Sequence, residues 1–219
     1  MRFKNKKAIV LGGSKGLGGE ITKHLKSLKI KTISCSRNDI DTSDIISVNK
    51  FIKKHKNTDI LVLNSGGPPN IKFEKIRTKD WEKYFKQLFL GFFLLLQNLK
   101  INKNGYVFYI SSSIIKEPSK DLILSSSIRS ATSSLLKSFS IINSKFGIST
   151  INIAPGPFKT RRVKELVNNL KNFEKTLPTG KIGNPAEIGK FIKFIIENDI
   201  KYISGSTIYF DGNLNKSFF

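Results

Sequence analysis

Cysteine is almost absent from this chain: Cys35 stands alone among 219 residues, so neither an intramolecular disulfide nor a cysteine metal cluster can form. Histidine is nearly as scarce. His24 and His55 fall on separate helix-like stretches and read as surface residues, so no metal site is expected. The longest apolar run, Leu88 to Leu96, is about half of what a membrane span requires. Met1-Arg2-Phe3-Lys4 leads directly into a strand-like stretch and leaves no room for a signal peptide. The expectation is a soluble, cytoplasmic protein with no membrane partner. Acidic residues are also few, 16 against 38 basic ones, for a formal charge of +22. The excess is lysine scattered over every segment, with arginine only at positions 2, 37, 77, 129, 161 and 162. Nucleic-acid binding would gather basic residues on one element and use arginine forks. Without such a cluster no nucleic acid is expected, although a basic surface favours anionic partners.

What is present is a glycine run with the right neighbours. Ala8 to Leu11 is an apolar, strand-like stretch; Gly12-Gly13-Ser14-Lys15-Gly16-Leu17-Gly18-Gly19 follows, and a helix-like stretch runs from Glu20 through Leu28. Glycine turns at positive φ and lets a phosphate approach the backbone. The helix behind it presents free N–H groups and a positive dipole end. Strand, glycine turn and helix together make a dinucleotide site. Further short apolar runs (Thr32–Cys35, Ile60–Leu63, Tyr106–Ile110, Thr150–Ile153, Thr207–Phe210) alternate with longer amphipathic stretches, which predicts a parallel sheet with helices on both faces. No repeat or linker divides the chain, so residues 1–219 are read as one domain.

The GxxxGxG spacing, together with Asn64-Ser65-Gly66-Gly67, Pro155-Gly156-Pro157-Phe158-Lys159-Thr160 and Ile203-Ser204-Gly205 leading to Asp211-Gly212, resembles the short-chain dehydrogenase/reductase family, 3-oxoacyl-carrier-protein reductase-like members included. The resemblance runs from about Lys6 to about Asn213. It implies an α/β fold, a single Rossmann-like doubly wound parallel sheet. The family usually has a helix and a strand after the second strand; here Asn38 to Thr42 are too few for a crossover, so six strands are expected. The implied cofactor site comprises Gly12, Ser14, Lys15, Gly16, Leu17, Gly18, Asn64, Ser65, Gly66, Phe158 and Thr160. Arg37, directly after the second strand, sits where an arginine accommodates the 2′-phosphate of NADP. Lys15 adds positive charge, so NADP(H) is the expected cofactor, and Asp41 resembles the aspartate that touches the adenine amino group.

Family members work with serine, tyrosine and lysine in the pattern S…YxxxK, and with an asparagine on the preceding helix. None of Tyr84, Tyr106, Tyr109, Tyr202 and Tyr209 has a lysine four residues on. Alignment of Leu124 to Ala131 puts the tyrosine position on Ser125 and the lysine position on Arg129; the catalytic serine falls on Ser112 and the asparagine on Leu88. Arginine keeps its proton, so Arg129 could hold ribose hydroxyls but relay nothing. A serine hydroxyl is too weak an acid to match a phenol. Two readings follow: an NADP(H)-dependent oxidoreductase of a small carbonyl or alcohol that takes its proton from water, the substrate, Lys116 or Ser125, or an NADP-binding scaffold or regulatory protein that has lost catalysis. Pro157 to Lys181 takes the place of the family's substrate lid, with Lys159, Arg161, Arg162 and Lys164 near its start. Trp81–Leu99 and Ser126–Ile142 correspond to the family's interface helices. Phe85, Leu88, Phe89, Phe92, Phe93 and Leu96 exceed what one helix side can hide. A homodimer or homotetramer is expected.

Overall fold

The computed structural model describes residues 3–167 and 169–217. Six strands, β1 (Lys7–Leu11), β2 (Lys31–Cys35), β3 (Asn57–Leu63), β4 (Lys100–Ile110), β5 (Ser149–Pro155) and β6 (Thr207–Phe210), form one parallel sheet in the order β2-β1-β3-β4-β5-β6. All six predicted apolar runs lie inside these strands. β4 reaches further back than its apolar run, because Lys100 and Ile101 pair with Asn57 and Thr58 before a register shift at Thr58/Ile60.

The period of two sorts each strand between two cores. Ile9, Leu61, Val107 and Tyr109 face α2 (Ile45–His55), α4 (Gly91–Asn98) and α5 (Ile123–Asn143). Ala8, Val10, Ile60 and Phe108 face α1 (Gly16–Ser27) and α8 (Pro185–Glu197). Because helices cover both faces, the central strands carry unbroken apolar runs, Ala8–Leu11, Ile60–Leu63 and Tyr106–Ile110. The expected trimming is there: after β2 the chain turns through Ser36–Ser43 directly into α2. Asp44 caps that helix by accepting from the Ile46 N–H at 2.9 Å.

Two local expectations are corrected. The first helix starts at Gly16 rather than Glu20, so Gly18 and Gly19 are helical. Gly18 has to be glycine: a Cβ there would strike the Gly12 carbonyl and stand 2.8 Å from Asn64 Nδ2. The stretch 81–99 is not one helix. It divides into α3 (Thr78–Phe85), a π-helical turn (Lys86–Leu90) and α4. Leu88, Phe92 and Leu96 are buried in the subunit's own core, and Phe85 alone of the six apolar residues is fully outward, at 44 % exposure. Among the described residues no helix is long and apolar enough to cross a membrane. No group of three His, Cys, Asp or Glu side chains there could hold a metal.

Candidate functional site

In a doubly wound sheet the ligand crevice lies beyond the carboxyl ends of the strands, where successive connections leave in opposite directions. Here β1 neighbours both β2 and β3, and the loops after β1, β3, β4 and β5 meet over that point in a cleft of about 670 Å³. From the first loop come Gly12, Lys15, Gly16 and Leu17. Gly12 and Gly16 both turn at φ +56°, which only glycine adopts without strain. Gly18 lies behind the loop as the contact that lets α1 approach it, and Ser14 is exposed outside the cleft wall. The β3 loop adds Asn64, Ser65 and Gly66. Asn64 Nδ2 donates to the Leu11 carbonyl at 3.1 Å and the Gly12 carbonyl at 3.4 Å, tying the glycine turn to the end of β3. A Cβ on Gly66 would meet nothing within 4 Å, so that backbone is open to a ligand.

Thr160 closes the crevice from the β5 side; its Cγ2 lies 3.5 Å from where a Gly16 Cβ would be. Phe158 behaves differently from a binding side chain. Its ring is buried beside Phe210 and Gly183, leaving only its backbone for a cofactor. Arg37 and Asp41 lie beyond the cleft wall, past β2. Arg37 is exposed, with Nε 4.0 Å from Asp41 Oδ2. Burial opposes the Asp41 charge, but hydrogen bonds from Ser43 and the Arg37 guanidinium outweigh it and hold the carboxyl below its ordinary range. The glycine turn, the open Gly66 backbone and the exposed Arg37 fit an extended dinucleotide.

At the other end of the cleft the structure brings Ser112, Ser125 and Arg129 together on one wall. Of the three serines after β4, Ser111 spends its hydroxyl on the Ile153 carbonyl, and Ser113 is buried. Ser112, in extended backbone, faces the cleft. Ser125 and Arg129 lie one turn apart on α5, both buried. Arg129 Nε donates to Ser125 Oγ at 3.2 Å, Nη1 to the Ile110 carbonyl at 3.1 Å and Nη2 to the Ser65 carbonyl at 3.1 Å. Because Ser125 Oγ already accepts from a cation, its own proton is the part left to donate into the cleft. No tyrosine lines the cleft among the described residues. Tyr109 is fully buried in the core, and burial pushes its phenol up. Lys116 lies over the Tyr209 ring at 5.0 Å, off the cleft wall.

Gln87 was not visible as a site residue. Counting back from Gly91 selects Leu88, yet Leu88 is wholly buried and only its carbonyl is used, accepting from Thr132 Oγ1 at 2.8 Å. The π-helical turn inserts one residue per turn and swings position 87 toward the β3 loop. There Gln87 Nε2 donates to Ser65 Oγ and to the Gly66 carbonyl, both at 2.8 Å. Its signal in the sequence is weak: an amide four residues before Gly91, in a stretch that also holds Gln97 and Asn98.

The chain is 25% identical to the 3-oxoacyl-[acyl-carrier-protein] reductase of Buchnera aphidicola subsp. Schizaphis graminum, covering 98% of this chain and 99% of that one. It is 23% identical to a probable 2,4-dienoyl-CoA reductase of Bacillus subtilis, covering 96% of each. Among solved structures, L-sorbose reductase from Gluconobacter frateurii, complexed with NADPH and L-sorbose, superposes with a TM-score of 0.85 at 19% identity over 99% of this chain and 98% of that one. A short-chain dehydrogenase/reductase from Serratia marcescens gives the same TM-score at 22% identity, over 98% of this chain and 99% of that one. The family model described as "Enoyl-(Acyl carrier protein) reductase" matches residues 18–215. With its sheet order, its glycine cradle and its match over most of its length, the chain belongs to the short-chain dehydrogenase/reductase family, whose members are nicotinamide-dependent oxidoreductases.

Proposed function

We propose that this protein is an NADP(H)-dependent oxidoreductase that interconverts a small carbonyl compound and its alcohol without a tyrosine acid. The carrying observation is the cleft itself: its catalytic end is open, about 670 Å³ in all, and Ser112, Ser125 and Arg129 line it together. A scaffold protein would have no use for a buried arginine fixed by three hydrogen bonds around an open volume. The residues that would hold the dinucleotide are Gly12 to Gly18 at the pyrophosphate, Asn64 to Gly66 and Arg129 toward the nicotinamide end, and the backbone at Phe158 with Thr160 opposite. Arg37 would take the 2′-phosphate and Asp41 the adenine; Arg37 is exposed and placed to form a bidentate pair.

When bound, the cofactor supplies the hydride. The chain's own part is to hold a carbonyl oxygen between the hydroxyls of Ser112 and Ser125 and to stabilise the charge that grows on it with the Arg129 cation. Arg129 keeps its proton throughout, so the oxygen takes its proton from water. A 3-oxoacyl thioester is the first substrate to assay, and a homodimer or homotetramer working in the cytoplasm is the expected setting. Outward-facing Trp81, Phe85, Ile141 and Ile142, on the helices assigned to subunit contact, support the assembly.

Fluorescence titration with NADPH and NADH, followed by NADPH oxidation over a carbonyl panel, tests the reading. Tighter NADPH binding and Ser112-dependent turnover are expected. Binding without turnover on any carbonyl would transfer the case to the scaffold reading.

A further inference from the structure

Gly67 marks a point on which three side chains converge. A Cβ there would stand 3.5 Å from Ser125 Oγ, 3.7 Å from Arg129 Nη2 and 3.8 Å from Arg162 Nη2. Ser125 and Arg129 belong to α5; Arg162 comes from the opposite wall, on α6 (Arg161–Leu166). Its Nη2 donates to the Pro68 carbonyl, which ties the start of the lid segment to the β3 loop. Gly67, Ser125, Arg129 and Arg162 line the same cleft.

Two guanidinium groups in one small volume are a poor arrangement unless something negative belongs there. Arg129 is 5% exposed, and its hydrogen-bond partners, Ser125 Oγ and the Ile110 and Ser65 carbonyls, are all neutral. It forms no ion pair with a carboxylate among the described residues. Arg162 has Glu165 Oε2 at 3.9 Å, but the other oxygen of that carboxylate is taken by Arg161 Nε at 2.8 Å. Burial pulls the Arg162 proton affinity down; the Glu165 carboxylate opposes this, and the neighbouring Arg129 charge adds to it. Asp121, on the cleft wall, is exposed and pairs with neither arginine. Guanidinium forks are shaped to take a planar carboxylate with two parallel hydrogen bonds.

We infer that Arg129 and Arg162 bind the carboxylate of the substrate, so that the carbonyl reduced in this cleft belongs to a short oxo acid rather than to its ester or thioester. This rests on the reductase reading above and names the substrate class for it. With the carboxylate held at Gly67, the hydroxyls of Ser112 and Ser125 remain for the adjacent carbonyl oxygen. A bound reduced nicotinamide would supply the hydride for the new C–H bond at the carbonyl carbon; Ser112 and Ser125 would hold the oxygen, which would take the displaced π pair and a proton from water to leave a hydroxy acid and the oxidised cofactor. Arg162 is then a specificity residue contributed by the lid.

Acetoacetate and methyl acetoacetate separate charge from shape. Each is titrated calorimetrically into the protein, free and with NADP, and each is assayed for NADPH oxidation. Acetoacetate should bind about tenfold more tightly than the ester and show a correspondingly higher kcat/KM. Arg162→Gln should erase that preference through KM while NADPH affinity is unchanged, and Arg162→Lys should restore part of it. Equal binding of acid and ester by the natural chain overturns the inference without any variant. So does a preference that survives in Arg162→Gln. Acetoacetate binding that depends on Arg162 but gives no NADPH oxidation supports the carboxylate site and sinks the reductase reading. Reduction of acid and ester at equal rates sinks the carboxylate site alone.

Discussion

The two ends of the cleft are built on different principles. At the dinucleotide end the backbone does the holding: Gly12 and Gly16 turn at positive φ, Gly18 admits a close helix, and Asn64 links the turn to β3. Gly12 and Gly18 cannot take a side chain without moving the main chain, because a Cβ on either would strike Asn64 or Gly12. At the catalytic end side chains do the holding, and they have changed as a set. Ser125 and Arg129, the positions that the sequence reading matches to the family's tyrosine and lysine, hydrogen-bond to each other, and Arg129 also donates to the Ile110 and Ser65 carbonyls. The contrast teaches that cofactor geometry is tied to the fold, whereas proton chemistry is carried by a few exchangeable side chains on it.

The largest expected effect breaks the backbone-held end. Gly18→Val places branched atoms against the Gly12 carbonyl and Asn64, and overpacking of this kind costs on the order of 1–3 kcal/mol or more. The melting temperature should fall by several degrees, and NADPH titration should show no saturable binding. Normal binding by this variant would mean that the close approach of α1 is dispensable. Arg37→Ala comes next. A charge-assisted contact contributes about 1.5–3 kcal/mol, so NADPH should lose at least ~tenfold in affinity with NADH little altered. An equal loss for both cofactors would show that Arg37 supports the turn and does not read the 2′-phosphate.

The other end can be sharpened by reversal. In the double variant Ser125→Tyr, Arg129→Lys the family pattern returns on an unchanged framework. Reduction of neutral ketones should then rise roughly 10²-fold, in the range general acid catalysis supplies. A double variant that folds and binds NADPH without such a rise would show that more than these two side chains separates this cleft from a tyrosine-dependent one. The smallest effect concerns the link between the two ends. Gln87→Leu removes the bonds to Ser65 and Gly66, each of about 0.5–1.5 kcal/mol. NADPH binding should weaken several-fold and the melting temperature should fall by a few degrees; an unaltered affinity would leave Gln87 as packing only.

What the residues disclosed beforehand follows the same division. The sheet, its six strands and the glycine cradle were legible because backbone requirements leave glycine and apolar periodicity in the sequence. The shortened connection after β2 was legible from chain length alone. The catalytic end was legible only as a departure, through the spacing of Ser112, Ser125 and Arg129. Leu88 was chosen over Gln87 because a π-helical turn adds a residue that counting cannot see. Phe158 is legible as a cleft position from its motif, whereas the burial of its ring beside Phe210 is visible only in the fold. The basic start of the lid is legible as a place for an anionic substrate, but that Arg162 among its residues meets Arg129 is a tertiary fact that the sequence does not show. The apolar surplus on 81–99 divides for the same reason: the π-helical turn shifts which phenylalanines turn inward, and Phe85 stays outward.

The central claim is that hydride transfer takes place in this cleft without a tyrosine acid. The most direct measurement uses NADPH deuterated at C4, incubated with the protein and a panel of oxo acids, ketones and thioesters, with products read by mass spectrometry. The account predicts deuterium at the carbinol carbon of at least one product, reduced in amount by Ser112→Ala and by Ser125→Ala. Saturable NADPH binding with no deuterium in any product would contradict it.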